Sequence, residues 1–118
     1  MQLAALRHRT ESEDCFVISP HHVRVRFHTA KNDVKKVIAH YTDNYMSTST
    51  DKTIKLEKVG EGQVEDHWAA TLRAPYRRIK YTFEVIGEDG SHKIVGDRGV
   101  YDFNEKNLAS DGSYFKVP

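Results

Sequence analysis

The chain has 118 residues, with 18 basic against 17 acidic side chains and a formal charge of +1. That length fits one domain, able to bury roughly two-thirds of the surface its unfolded chain exposes, and the balanced charge gives no electrostatic reason to bind nucleic acid or anionic lipid. The single cysteine, Cys15, excludes an internal disulfide and points to a reducing compartment.

The opening MQLAALRHRTESED lacks the basic-then-apolar pattern of a signal peptide. No stretch approaches the roughly 18 apolar residues of a membrane span. With Met1 read as the start, the expectation is a cytoplasmic protein with no membrane partner. The first element is the segment from Val23 to Thr29, where Val23, Val25 and Phe27 share one face and Arg24, Arg26 and His28 the other. Strict alternation marks a half-buried antiparallel strand. Residues 30–33 (AKND) read as a turn. Val34 to Tyr41 follows, with Val37, Ala39 and Tyr41 in phase and Ile38 out of it.

The polar stretch from Thr42 to Lys52 is the longest loop, and Thr53 to Val59 reads as one strand before a Gly60-Glu61-Gly62 turn. In the next strand Val64, Trp68, Ala70 and Leu72 face inward opposite Glu65, His67, Thr71 and Arg73. Asp66 is the inward exception, placed near the strand end. Ile79, Tyr81, Phe83 and Val85 then alternate with Lys80, Thr82 and Glu84. Glu88-Asp89-Gly90 is a hairpin signal, His92 to Val95 the return strand, and Gly96 to Gly99 a further turn. Val100 to Phe103 and Tyr114 to Val117 are extended, and residues 104–110 suit a short helical turn. The basic cluster from Arg73 to Lys80 reads as a solvated strand end. Short strands with turns at intervals of roughly 8–12 residues predict an all-β, immunoglobulin-like antiparallel sandwich of about seven to nine strands.

Little in this pattern suggests catalysis. Hydrolysis by a carboxylate pair needs the two groups about 5–5.5 Å apart, whereas Glu11, Glu13 and Asp14, and Glu61, Glu65 and Asp66, fall at turns and strand ends and read as solvated. His21 and His22 are adjacent and point opposite ways in extended chain; the other histidines are scattered, so no metal ligands are assigned on spacing. Asp43, Asn44 and Asp51 offer loop oxygens of the kind calcium takes, which stays an alternative. Cys15 reads as a small buried apolar group. No cofactor is expected.

Six segments in order carry a resemblance: Ala5 to Arg9; Val23 to Thr29 with Asp33-Val34; Tyr41 to Tyr45; Asp66 to Ala70; Pro75 to Phe83 (PYRRIKYTF); and Gly99 to Asp102. They resemble the N-terminal domain of neopullulanases, cyclomaltodextrinases and maltogenic amylases, also classed as carbohydrate-binding module family 34. The resemblance covers essentially the whole chain. It implies a domain, residues 1–118, excised from an enzyme whose (β/α)₈ barrel follows and cleaves α-glucans such as cyclodextrins, pullulan and maltodextrins. It also implies a homodimer in which this domain covers the partner's barrel cleft. The fragment itself is then no enzyme.

Sugar rings present apolar C–H faces, so a flat aromatic outside the core is the feature to seek. Trp68, Tyr81, Phe83 and Tyr41 run in phase with aliphatic neighbours and are assigned to the core. Tyr45 sits in the polar loop, and the resemblance implies a loop aromatic here reaching into the partner's cleft; a tyrosine lying over the sandwich edge is the alternative. Asp43 either caps the loop, the favoured role, or accepts a sugar hydroxyl. Tyr76 and Tyr101, near strand ends, are secondary candidates. Many relatives carry Trp just after the loop tyrosine, whereas this chain reads Met46-Ser47-Thr48, which narrows the stacking platform. Three functions are therefore weighed: a cleft-shaping and assembly domain of an α-glucan hydrolase, a self-sufficient starch- or maltooligosaccharide-binding module, and an immunoglobulin-like interaction domain without a sugar role.

Overall fold

A computed structural model of the chain describes residues 1–10, 13–43, 52–75, 78–103 and 114–116. Among the described residues a 3₁₀ turn at Leu3–Ala5 is followed by ten strands: β1 (Cys15–Ser19), β2 (His22–Ala30), β3 (Val34–Thr42), β4 (Lys52–Lys55), β5 (Glu57–Glu61), β6 (Glu65–Arg73), β7 (Lys80–Gly87), β8 (His92–Gly96), β9 (Gly99–Asp102) and β10 (Phe115–Lys116). They form a four-stranded sheet in the order β1-β2-β6-β5 and a six-stranded sheet in the order β4-β3-β7-β8-β9, with β10 pairing β7. All the pairings are antiparallel. The all-β sandwich expected from the alternation is thus the observed fold, with β1 and a strand divided in two carrying the count past nine.

The core lies between the sheets. Val23, Val25 and Phe27 of β2 and Trp68, Ala70 and Leu72 of β6 face Val37, Ala39 and Tyr41 of β3 and Tyr81, Phe83 and Val85 of β7. Phe27 meets Phe83 across the layers at 4.8 Å between ring centroids, a spacing at which tilted rings attract beyond their buried area. Cys15 joins this cluster, and burial pushes its thiol up from the ordinary range. Trp68, the one indole, donates Nε1–H to the buried Thr29 hydroxyl at 3.0 Å, so its polar atom is satisfied inside the apolar layer.

Four expectations change. The strand predicted from Thr53 to Val59 breaks at Leu56. Lys55 before it pairs with Ile38 of β3, and Glu57 after it pairs with Ala69 of β6. The chain crosses from one sheet to the other here, as strands do at sandwich corners. Leu56 is 1% exposed at the crossing and donates its N–H to Val37 O at 2.8 Å. Consequently Gly60 and Glu61 belong to β5, and the turn begins at Gly62. Second, Val64 precedes β6 and is 80% exposed. Third, the outward residues of the central strand β7 are covered: Lys80, Thr82 and Glu84 are all buried. Lys80 Nζ lies 4.4 Å from the centre of the Tyr114 ring, so the basic cluster is solvated at Arg73 and Arg78 but not at Lys80. Fourth, Asp14 and Asp66, read as solvated carboxylates, are buried. Asp66 does sit one residue into β6 and accepts the N–H of Asn32 at 2.9 Å, at the αL residue (φ 56°) of the β2–β3 turn. The segment 104–110, read as a helical turn, lies outside the described residues.

The hairpin signals hold. Glu88, Asp89 and Gly90 turn β7 into β8, with Gly90 at φ +85°, where a side chain is disfavoured. Residues before β1 also contribute. Leu6 enters the core, and His8 packs edge-on against Tyr81, Phe83 and Phe115. His8 Nδ1 lies 2.6 Å from Arg26 O and Nε2 lies 2.6 Å from the Tyr81 hydroxyl. A carbonyl accepts only, so Nδ1 carries the hydrogen and Tyr81 donates to Nε2. Burial holds the ring neutral, lowering its pKa from 6.5 to about 4.

Two predictions follow from this packing. Leu56→Ala leaves a void at the sheet crossing and should cost about 2–5 kcal/mol of unfolding free energy in urea titration; a loss under about 1 kcal/mol would show that the corner collapses to fill it. The second concerns pH. The unfolded chain protonates His8 near 6.5 and the folded chain only near 4, so between those values the unfolded state holds the extra proton. Stability therefore falls as pH is lowered through that interval, by up to about 3 kcal/mol from this residue. His8→Gln, which keeps a donor and an acceptor without titrating, should remove that part of the acid sensitivity, read as the difference between the two unfolding curves.

Candidate functional site

β3 ends at Thr42, opposite Lys80 of β7. Asp43 follows, and its buried carboxylate accepts the backbone N–H of Arg78 at 3.2 Å from Oδ1. This is the loop-anchoring role that a short acidic side chain takes in turns. The bond joins the roots of two segments, since Asp43 stands two positions before Tyr45 and Arg78 two positions after Tyr76. Tyr45 and Tyr76 themselves lie outside the described residues, as do Asn44 and Asp51 of the alternative calcium set.

Tyr101 is described. It lies on β9 at the edge of the six-stranded sheet, opposite Ile94, which in turn lies opposite Glu84. Its neighbour Val100 packs against the core, so strand alternation turns Tyr101 outward, and it is 43% exposed. The register sets it four residues along β7 and two strands across from the Thr42–Lys80 pair. Asp43 and Tyr101 are therefore not brought together.

Two polar clusters that residue spacing did not suggest appear on the outer faces. On the six-stranded sheet, Glu84 lies between His40 and His92, with Oε1 2.7 Å from His40 Nε2 and Oε2 2.6 Å from His92 Nε2. The His92 ring stacks on Phe103 at 3.8 Å. On the four-stranded sheet, the β2–β6 register sets His28 opposite His67 and Ala30 opposite Glu65. Glu65 Oε1 lies 3.6 Å from His28 Nδ1 and 3.3 Å from His67 Nε2. His28, expected to face solvent, is 6% exposed. The segment carrying Arg7 pairs beside it, and Asp14 accepts from its Nε2 at 2.6 Å. In sequence these histidines lie 39 positions apart. Only their shared outward phase hinted at a common face; the strand pairing makes them neighbours.

The whole chain, residues 1–118, matches the family of alpha amylase N-terminal Ig-like domains. The intracellular maltogenic amylase of Bacillus subtilis strain 168 is 28% identical over 121 residues, covering 100% of this chain. Neopullulanase 2 of Thermoactinomyces vulgaris is 30% identical over 100 residues, covering 84% of this chain and 17% of its own length. Among solved structures, a cyclomaltodextrinase superposes over 100% of the chain with a TM-score of 0.85 at 24% identity, using 20% of its own chain. The type III pullulan hydrolase from Thermococcus kodakarensis covers 94% of this chain, with a TM-score of 0.66 at 13% identity and 16% of its own chain. Both superpositions bear on the fold. The chain spans only 20% of the length of the Bacillus subtilis relative. No helix among the described residues is long and apolar enough to cross a membrane. With the two-sheet architecture and the full-length match in agreement, the chain belongs to the alpha-amylase N-terminal immunoglobulin-like domains, the domain that opens maltogenic amylases, cyclomaltodextrinases and neopullulanases.

Proposed function

We propose that this domain performs no chemistry of its own and serves an α-glucan hydrolase by shaping the substrate cleft and mediating dimer assembly. The observation that carries the reading is the full-length match to one fifth of enzymes named maltogenic amylase and cyclomaltodextrinase. The substrate class is then a cyclodextrin, pullulan or maltodextrin, and the partner a (β/α)₈ barrel of the same or the neighbouring subunit. Tyr45 supplies the aromatic face, Asp43 holds the root of its segment, and Tyr76 lies close in sequence to the other end of the Asp43–Arg78 bond. Tyr101 offers a separate exposed ring.

Two physical features support a docked rather than a free domain. A packed sandwich holds loop roots rigidly, which is what a loop needs to narrow a cleft reproducibly. The edge strand β1 leaves three consecutive apolar side chains, Phe16, Val17 and Ile18, exposed. An exposed apolar edge is usually covered in the working assembly.

Isothermal titration separates this reading from a self-sufficient binding module. The 118-residue chain should give a flat trace with β-cyclodextrin and with maltooligosaccharides at high ligand concentration; binding at about millimolar Kd or tighter would favour the module instead. In the hydrolase that carries the domain, Tyr45→Ala should lower the preference for cyclodextrin over linear maltooligosaccharide in kcat/KM by about tenfold, equivalent to about 1.4 kcal/mol. An unchanged preference with the fold intact by circular dichroism would remove Tyr45 from the role.

A further inference from the structure

We infer that His28, Glu65 and His67 form a binding site for a divalent transition-metal ion of the zinc class on the outer face of the four-stranded sheet. Strand geometry assembles it. Residues directly opposite in an antiparallel pair present side chains on the same face, so the His28–His67 pairing places two imidazoles together. Glu65, two residues from His67, falls on that face by the same period.

Two of the three donor separations fit one ion, and the third, between the two imidazoles, closes by a small side-chain rotation. Ligand atoms about 2.0–2.1 Å from a tetrahedral zinc lie about 3.4 Å from each other. Glu65 Oε1 lies 3.6 Å from His28 Nδ1 and 3.3 Å from His67 Nε2, and one donor atom from each of the three residues falls within 4.8 Å of the others. These separations are too long for good direct hydrogen bonds and suit an ion between them.

The chemistry of His28 points the same way. Its Nε2 lies 2.6 Å from Asp14 Oδ1, and a carboxylate only accepts, so the hydrogen sits on Nε2. In its neutral form the ring carries its lone pair on Nδ1, on the side of Glu65 Oε1 at 3.6 Å. That Nδ1 is buried and has no hydrogen-bond partner. A lone pair buried against an anion is unfavourable, and a metal ion held between the two relieves it. Asp14 completes the carboxylate–histidine–metal arrangement that orients metal-bound imidazoles.

Two imidazoles and a carboxylate select zinc or a neighbouring transition metal over calcium or magnesium, which prefer all-oxygen shells. Arg7 also engages Glu65, at 2.9 and 3.1 Å. The carboxylate has about four lone-pair directions and can keep one Arg7 contact while Oε1 turns to the ion. Glu65 and His67 are partly exposed, which leaves a path for entry and a fourth position for water.

The test is zinc titration of the 118-residue chain by calorimetry, with cobalt(II) visible absorption as the geometric probe. One ion per chain should bind at about micromolar Kd or tighter, with cobalt giving the intense bands of a tetrahedral site. His67→Ala and Glu65→Gln, at partly exposed positions where the fold should survive, should each weaken binding at least tenfold and remove the cobalt bands. His21→Ala combined with His22→Ala should leave the affinity unchanged. Absence of one-to-one binding, or binding that persists in His67→Ala and vanishes in the His21/His22 variant, would overturn the assignment.

Discussion

Nine consecutive residue pairs join β2 to β6, from His22 opposite Arg73 to Ala30 opposite Glu65. This ladder organises both faces of the four-stranded sheet. On the inner face it sets Phe27 beside Trp68 and Val25 beside Ala70, and on the outer face His28 beside His67. Side chains alternate with period two, so a slip of one residue would send Phe27 to solvent and His28 to the core. The apolar face therefore enforces the register, and the register in turn determines which polar groups meet outside. The histidine–carboxylate cluster is in this sense a product of hydrophobic packing on the opposite side of the same strands.

A second constraint is the satisfaction of buried polar groups. Trp68 finds Thr29, Asp66 finds the turn amide of Asn32, and His8 bridges Arg26 O and Tyr81 inside the aromatic cluster. Each pairing lets a polar atom enter a layer where an unmade hydrogen bond costs about 1–3 kcal/mol. They also tie segments distant in sequence: the residues before β1 to β2 and β7, and the β2–β3 turn to β6. The sandwich is thus closed by specific bonds as well as by apolar contact.

The core is sealed between the sheets, and the exposed apolar side chains of β1 lie on a strand edge. The bond between Asp43 and Arg78 ties the end of β3 to the residues that lead into β7. The apolar edge of β1 lies in the other sheet. The braced end of β3 and the apolar edge of β1 are thus two distinct surfaces, one on each sheet.

The amino-acid order alone determined the sandwich, the inward faces of β2, β3, β6 and β7, the hairpin at Gly90 and the family, because strand alternation and turn chemistry are local and six ordered segments are specific together. Leu56 shows where local reading stops: an unbroken extended run looks like one strand, and only the position of two sheets divides it. Alternation and polarity place His28, Lys80, Thr82, Glu84 and Asp14 outward or in solvent, yet all five are buried, because what covers an outer face comes from elsewhere in the chain. The meeting of His28 with His67 depended on strand register, a long-range property that follows from packing the whole core at once, and so it was decided only in the tertiary structure.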